Sequence, residues 1–452
     1  MKKTTLSLLL GLVANLFYCN AQTVAGGGLH SLFVCDNGTV RATGRNASGQ
    51  LGNGTNTNTV TPVTVSGLTD IVAVAARDEF SLFLKSDGTV WACGANTNGE
   101  LGNGTTQNSN IPIQVAGLSG IVKIAAGFYH SLFLKSDGTV WACGRNFSGE
   151  LGNGNQVPQY TPVQATGLTN IVDIAAGDGH SIFVKSDGTV KVCGDNQNGA
   201  LGLGNSLGPV VAPATVAITN VVAVAAGMRT SIFLKNDGTA WVSGINNYGQ
   251  LGDGSTTDKL IPTQVTALSG ITAAATGQYH ILYLKNDGTV WSCGYNAYGQ
   301  LGIGNNNTFI SAPTQISGFN NVTSIAGSGY YHSVFAKNDN TFYACGQNGG
   351  TLGDGTGNNS NVPTAVIANC TDLSTEDTAA VLPLTAYPNP ASDVIHFSAD
   401  VNNITLYDLS GRQVAAGNAT NMVNVNGLAA GTYLAKGSTA DKKTITIKII
   451  KN

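Results

Sequence analysis

The sequence predicts an all-β protein, a seven-bladed β-propeller followed by a small C-terminal β-sandwich. Three observations carry this reading. A Leu-Gly pair recurs at Leu51, Leu101, Leu151, Leu201, Leu251, Leu301 and Leu352, a period of 50 residues with one late slip. Glycine reaches 59 of 452 residues while only 10% are charged, which fits many tight turns between short strands. Each period holds strand-like apolar runs, and one such unit cannot bury its own faces without stacked neighbours.

The stretch from Ile121 to Gly154 shows the unit in order. A short apolar run ends at a glycine (Gly127, with Gly177, Gly227 and Gly277 as counterparts). The alternating strand Ser131–Lys135 follows and runs into Asp137-Gly138, one of five Asp-Gly pairs at this place. Asp-Gly between two β-rich runs is a strong hairpin signal, read as a tight turn in which both residues take positive φ. A third strand (Thr89 to Gly94 in its own repeat), a Gly-rich loop and a fourth strand near Pro112 to Val115 complete the unit. Four strands in 50 residues leave the usual strand length. Closing seven such sheets into a ring removes most exposed edges.

Gly-x-x-His-Ser, Asp-Gly-x-Val-x-x-x-Gly-x-Asn and Gly-x-Leu-Gly run through residues 22–370. In these motifs the chain resembles the regulator-of-chromosome-condensation repeat family, whose members form seven-bladed propellers. The resemblance implies a rigid scaffold for binding. A bacterial secreted protein with this repeat inhibits β-lactamases through its propeller face, so an enzyme inhibitor is the alternative function.

The ends of the chain carry export signals. Lys2 and Lys3 precede an apolar run from Leu6 to Tyr18 that is too short to span a bilayer, so residues 1–21 read as a signal peptide cleaved after Ala21. Tyr18 is too bulky for the residue before a lipidated Cys19. The repeat pattern stops after Cys370, and residues 371–386 read as an acidic linker. Residues 387–452 read as a compact β-sandwich, with strands expected at 394–398, 404–408, 422–425, 432–436 and 444–450. Tyr387-Pro388-Asn389-Pro390, then Leu406 to Arg412 with Gly411, then Leu428 to Tyr433 with Gly431, then Lys448 to Lys451 are similar to the type A C-terminal sorting domain of the type IX secretion system. That resemblance implies a Bacteroidota source, the type IX machinery as a partner, and delivery through the periplasm to the cell surface or medium.

Aligned on the Gly127–His130 frame, Cys370 falls near the start of the strand that the first repeat lacks, and Cys35 lies on the neighbouring strand. A disulfide between them would lock the ring in an oxidising compartment; the alternative is two free thiols. Cys93, Cys143, Cys193, Cys293 and Cys345 share one strand position where Thr43 and Ser243 also occur. That pattern reads as packing by a small side chain, without the Cys-x-x-Cys spacing of a metal site.

Candidate chemistry is weighed by comparing the copies. Five of six histidines (His30, His130, His180, His280, His332) share one place in different blades, and each is expected to hydrogen-bond backbone. The asparagines Asn46 to Asn348, one per repeat, read as loop ties. The tryptophans Trp91, Trp141, Trp241 and Trp291 share a position with Arg41 and Lys191, so one end of that site should reach solvent. No catalytic triad, carboxylate pair or phosphate-binding loop rises above the repeat, and the expectation is a non-enzyme with no cofactor and no metal. The net charge of −3 and the absence of a basic tract argue against nucleic acid.

Variable positions inside the fixed frame are then the place for specificity. The residues between the glycine and the histidine differ in every copy: Gly28-Leu29, Asp78-Glu79, Phe128-Tyr129, Asp178-Gly179, Met228-Arg229, Gln278-Tyr279 and Tyr330-Tyr331. Phe128, Tyr129, Tyr279, Tyr330, Tyr331, Arg229, Asp78, Glu79 and Phe80 are the binding-face candidates. Tyr248, Tyr295, Tyr298 and Phe147 form a second variable set after the third strand. The expectation is a secreted or surface-exposed protein that holds a protein or glycan on this face.

Overall fold

The computed structural model describes residues 22–370, 386–387, 391, 393–397, 402–408, 412–416, 422–438 and 444–452. The sorting-motif residues Pro388, Asn389, Pro390 and Gly411 and the expected signal peptide lie outside them. The chain divides into two units, Met1–Thr371 and Asp372–Asn452.

The first unit is a ring of seven four-stranded antiparallel sheets, each made from strands consecutive in sequence. Blade 3 shows the pattern, from the inner strand Ile121–Ala126 through His130–Lys135 and Val140–Gly144 to the outer strand Gln159–Gln164. Blades 2, 4, 5, 6 and 7 repeat it, opening at Ile71, Ile171, Val221, Ile271 and Val322. Blade 1 opens with only Val24–Gly26. One 3-10 turn at Gln197–Gly199 interrupts the all-β pattern.

The core lies between blades. Phe133 of blade 3 is fully buried among Leu82, Leu84, Val90 and Leu101 of blade 2, and the six other blade-to-blade interfaces hold equivalent apolar clusters. Both faces of a blade are therefore apolar, which is why runs such as Leu82-Phe83-Leu84 do not alternate with polar residues. The inner strands enclose a central cavity of about 580 Å³ lined largely by alanine.

The Asp-Gly turns differ from expectation. Gly138 has a φ of 77°, whereas Asp137 stays at negative φ. Gly138 N donates to Lys135 O at 2.9 Å and Lys135 N to Thr139 O at 2.9 Å, so the hairpin is a three-residue loop with only its last residue left-handed. Asp137 has a separate role, its Oδ1 accepting from both the N–H and the hydroxyl of Thr139.

Each of the five repeat histidines bonds a serine of the next blade. His130 Nε2 lies 3.0 Å from Ser181 Oγ, with the same link from His30 to Ser81, His180 to Ser231, His280 to Ser333 and His332 to Ser31. The serine hydroxyl already donates to a carbonyl, Ser181 to Glu150 O at 2.7 Å. The serine can then only accept from the ring, so Nε2 carries the proton and Nδ1 is bare. The shared cysteines also do more than pack, since Cys143 Sγ points at Glu100 O at 3.6 Å and Thr43 Oγ1 at Gly350 O.

Cys35 and Cys370 are joined by a disulfide with Cα atoms 5.3 Å apart. In blade 3 the corresponding pair is Ile121 opposite Lys135, so Cys370 supplies the position that the shortened first strand of blade 1 lacks.

The second unit has two sheets, one of three strands including Ala386–Tyr387 and one of four ending in Thr444–Lys451. Ile395, Leu406, Val423, Tyr433 and Ile449 form its core. Gln413–Ala416 is a strand not expected from the pattern. Arg412 pairs with Asp408 at 3.1 Å, and the Tyr433 hydroxyl donates to Ala429 O at 2.7 Å. Gly431 opens the strand Gly431–Ser438, which pairs along its length with Thr444–Lys451, the strand holding Lys448 and Lys451. No helix among the described residues is long and apolar enough to cross a membrane.

Candidate functional site

The loop after each inner strand and the loop after each third strand leave the blade at the same end, opposite the Asp-Gly turns. At that end the variable residues come together. Glycine makes the approach possible, since a Cβ on Gly127 would sit 2.2 Å from the His130 ring. The ring therefore folds back beneath its own loop and pushes the two tip residues upward. Blade 7 uses Ser328 there, whose hydroxyl accepts from the N–H groups of Tyr330 and His332.

Eight aromatic rings form one continuous belt. Tyr129 contacts Phe128 at 4.6 Å between centroids, and Phe128 of blade 3 meets Tyr330 of blade 7 at 6.4 Å. Tyr330 adjoins Tyr331, which stacks on Tyr298 at 5.0 Å and touches Tyr295 at 5.5 Å. Tyr248 then joins Tyr295 and Tyr279 at 4.9 and 5.1 Å. The N–H groups of Tyr248 and Tyr298 donate to the side chains of Gln250 and Gln300, which fixes where both rings leave the loop. All eight rings are half-buried. Burial raises the hydroxyl pKa of Tyr129, Tyr279, Tyr295 and Tyr331 and pushes Tyr330 up to about 12, so these phenols stay neutral. Phe147 is 62% exposed and stands outside the belt.

Charged groups border the rings in pairs. Arg45 meets Glu79 at 3.0 Å, Arg145 meets Glu150 at 2.8 Å and lies over the Tyr129 ring, and Arg229 approaches Asp195 at 3.7 Å. Arg77, only 4% exposed, crosses the axis from blade 2 to Asp178 of blade 4 at 2.6 Å and also reaches Thr276 O of blade 6. Asp78 accepts from the Tyr330 hydroxyl at 3.3 Å. Burial, aided by neighbouring Glu79, raises its carboxyl to about 6.

Eight of the nine face candidates are thus placed at this end beside one another or on its rim: Phe128, Tyr129, Tyr279, Tyr330, Tyr331, Asp78, Glu79 and Arg229. Arg229 lines the same cleft as Tyr129, with its backbone at a φ of 52°. Phe80 is a correction. It occupies the histidine place of blade 2, opposite Gly94, and is 1% exposed, so it belongs to the core and not to the face. Comparison of the copies missed Arg77, whose signal was its replacement of the glycine kept in most other repeats. It also missed Arg145 and Asp195, which with the variable tip residue Gln278 line a cleft about 260 Å³ in volume. At the other end, Lys135, Lys235 and Lys285 lie over the half-buried Trp141, Trp241 and Trp291, and where Arg41 and Lys191 take the tryptophan's place they donate to Thr64 and Thr215 of the outer strand. Among the described residues no cluster of His, Cys, Asp or Glu has the arrangement of a metal site.

Comparison with solved structures gives the same scaffold. The chain is 26% identical to Prp20p from Saccharomyces cerevisiae, a protein described with its binding properties to Gsp1p and histones. That likeness has a TM-score of 0.62 and covers 68% of this chain and 80% of that one. Human WBSCR16 is 24% identical with a TM-score of 0.62, covering 70% of this chain and 86% of that one, which shows the fold alone. No curated protein matches the chain. With residues 9–275 and 119–423 matching the RCC1-like domain, and seven blades built on its repeat, this chain belongs to the RCC1-like domain family.

Proposed function

We propose that the chain is an exported, non-enzymatic recognition protein that holds a protein or glycan on the tip end of its propeller. The observation that carries this reading is the belt of eight rings drawn from blades 3, 5, 6 and 7. Tyrosine combines large apolar area with a hydroxyl that still bonds a partner, and half-buried rings lose little side-chain freedom on binding. Prp20p supports the reading at the family level, since it is described by its binding to Gsp1p and histones.

Residues 1–21 act as a cleaved leader, and residues 387–452 engage the type IX secretion machinery as a sorting domain. The paired Cys35 and Cys370 fit an oxidising destination. Two measurements test the whole. Removing residues 387–452 in a Bacteroidota host should leave the propeller in the periplasm; continued release to the medium would refute the sorting role. Alanine at Phe128, Tyr129, Tyr330 and Tyr331 together should abolish capture of the ligand that the native protein pulls from its habitat. Unchanged capture would move the site off this face.

A further inference from the structure

We infer that the tip end carries a distinct subsite for a neutral hexopyranose, seated in the cleft over Gly179. This rests on the reading of the tip end as a recognition face and names one ligand class for part of it. The second tip residue of each blade carries a side chain (Leu29, Glu79, Tyr129, Arg229, Tyr279, Tyr331) except in blade 4, where it is Gly179. The gap left by that missing side chain is the cleft, of about 260 Å³. Gly179 does not need positive φ, and a Cβ there would meet only Arg145 Nη2 at 3.2 Å and Asp195 Cβ at 3.4 Å. The glycine is therefore not demanded by the backbone; what it provides is the opening.

The lining selects the ligand. Phe128 and Tyr129 form one wall, giving an aromatic surface against which the C–H face of a sugar ring can pack. Arg145 and Arg229 both line the cleft, each already beside an acid, Glu150 and Asp195. Cations and carboxylates are thus matched, so an anion entering the cleft would compete with built-in partners and gain little. A hydroxyl meets no such conflict, because it accepts from a guanidinium and donates to a carboxylate at once. Gln278 decides between the two. Its amide lines the cleft, and a sugar hydroxyl can accept from its NH2 and donate to its oxygen, whereas a bare carboxylate can only accept. An aromatic wall with planar polar groups converging from several sides is the arrangement of a small-ligand site rather than of a flat protein interface.

The test is calorimetry of the full mature chain with the methyl glycosides of glucose, galactose, mannose and N-acetylglucosamine. At least one should bind with a dissociation constant on the order of 1 mM, a typical weak-site affinity of about 4 kcal/mol. Gly179→Leu, which fills the cleft, and Gln278→Ala, which removes the lining amide, should each weaken that glycoside at least tenfold. Phe147→Ala, exposed and outside both the belt and the cleft, should leave it unchanged. If Gly179→Leu proves unstable by its melting temperature, Gln278→Ala decides the matter. Binding of no glycoside, equal binding by both cleft variants, or occupation of the cleft by an acidic peptide instead would each overturn the assignment. Loss of macromolecular capture in the aromatic alanine variant, with no glycoside bound, would sink this subsite and leave the recognition face standing. Glycoside binding with capture unaffected would do the reverse.

Discussion

The histidines that recur in five blades set the acid sensitivity of the fold. Each ring is buried and neutral, donating from Nε2 to a serine of the next blade, and burial lowers His30, His130, His280 and His332 to about 3. The ordinary value in the unfolded chain is 6.5, so the unfolded state takes up protons that the folded state refuses. Stability is therefore fully present above that value and is lost as pH falls from 6.5 toward 3, with a slope of about 1.4 kcal/mol per pH unit for each such ring. Urea midpoints measured at pH 7.5, 6 and 5 should decline before the carboxylates titrate, and His130→Gln should flatten that decline. A midpoint that stays constant down to pH 5 would contradict the neutral, buried assignment. The same scale yields a second expectation at Tyr283. Six blades place phenylalanine at its position, and its hydroxyl is buried with no partner. Tyr283→Phe should therefore stabilise the protein by about 1 kcal/mol, read as a raised melting temperature. The serine link itself was hidden from the sequence. His and Ser adjoin in one repeat, which suggests a local pair, whereas the bond forms 51 residues away, between blades. One trace of it was present, since Thr230 replaces the histidine of blade 5 and Ile281 replaces the serine it would have met.

At the scale of the element, the inner-strand glycine decides how a blade ends. A Cβ on Gly127 would lie 2.2 Å from the His130 ring and 2.7 Å from Gly177 O of the next blade, and the carbonyl cannot yield without moving that blade's backbone. Gly127→Ala should cost at least about 2 kcal/mol, the range of overpacked sites, in a denaturant titration. The double variant Gly127→Ala with His130→Phe should recover part of the loss, because blade 2 already combines Arg77 with Phe80 in these two places. A single variant as stable as the parent would show that the loop relaxes freely. Strand order, hairpins and the structural role of Asn146, whose Oδ1 accepts from Leu151 N, were all legible in the repeat because they are local and occur seven times. The site was legible only in part. Variation among copies marked Phe128, Tyr330 and Tyr331, but not that rings from blades 3 and 7 meet across the axis. Radial convergence depends on how far each tip leans inward, and a linear repeat holds no record of that. Phe80 went astray for the related reason that an aromatic mismatch in the frame can refill a core position as readily as it decorates a face.

For the whole molecule, the weak point of the ring is the interface between its first and last blades. Every other blade opens with six or seven inner-strand residues, whereas blade 1 has three, Val24–Gly26. The apolar cluster there consists of seven fully buried residues, among them Val24, Phe33, Val334 and Phe342, the smallest of the seven in the ring. Elsewhere, the residue that leads into the next blade lies in register with the end of the second strand, as Ile121 does opposite Lys135. At the closure that residue is Cys370, and the opposite one is Cys35. Arg41 adds a bond from its guanidinium to Asn369 O at 2.9 Å. The covalent link spans 335 residues of chain, so it restrains nearly the entire unfolded propeller. In the chain-entropy account, a loop of that length contributes on the order of 5 kcal/mol. Reduction, or Cys35→Ser with Cys370→Ser, should then lower the urea midpoint of the propeller markedly, while Cys93→Ser should change it little. Alkylation under native conditions without reductant should label none of Cys93, Cys143, Cys193, Cys293 and Cys345, which are all buried. A midpoint unaffected by reductant would mean that packing between Phe33 and Phe342, whose rings lie 5.2 Å apart, closes the ring unaided. The expected drop, by contrast, makes closure dependent on oxidation, so the propeller would reach full stability only in a compartment where Cys35 and Cys370 stay paired.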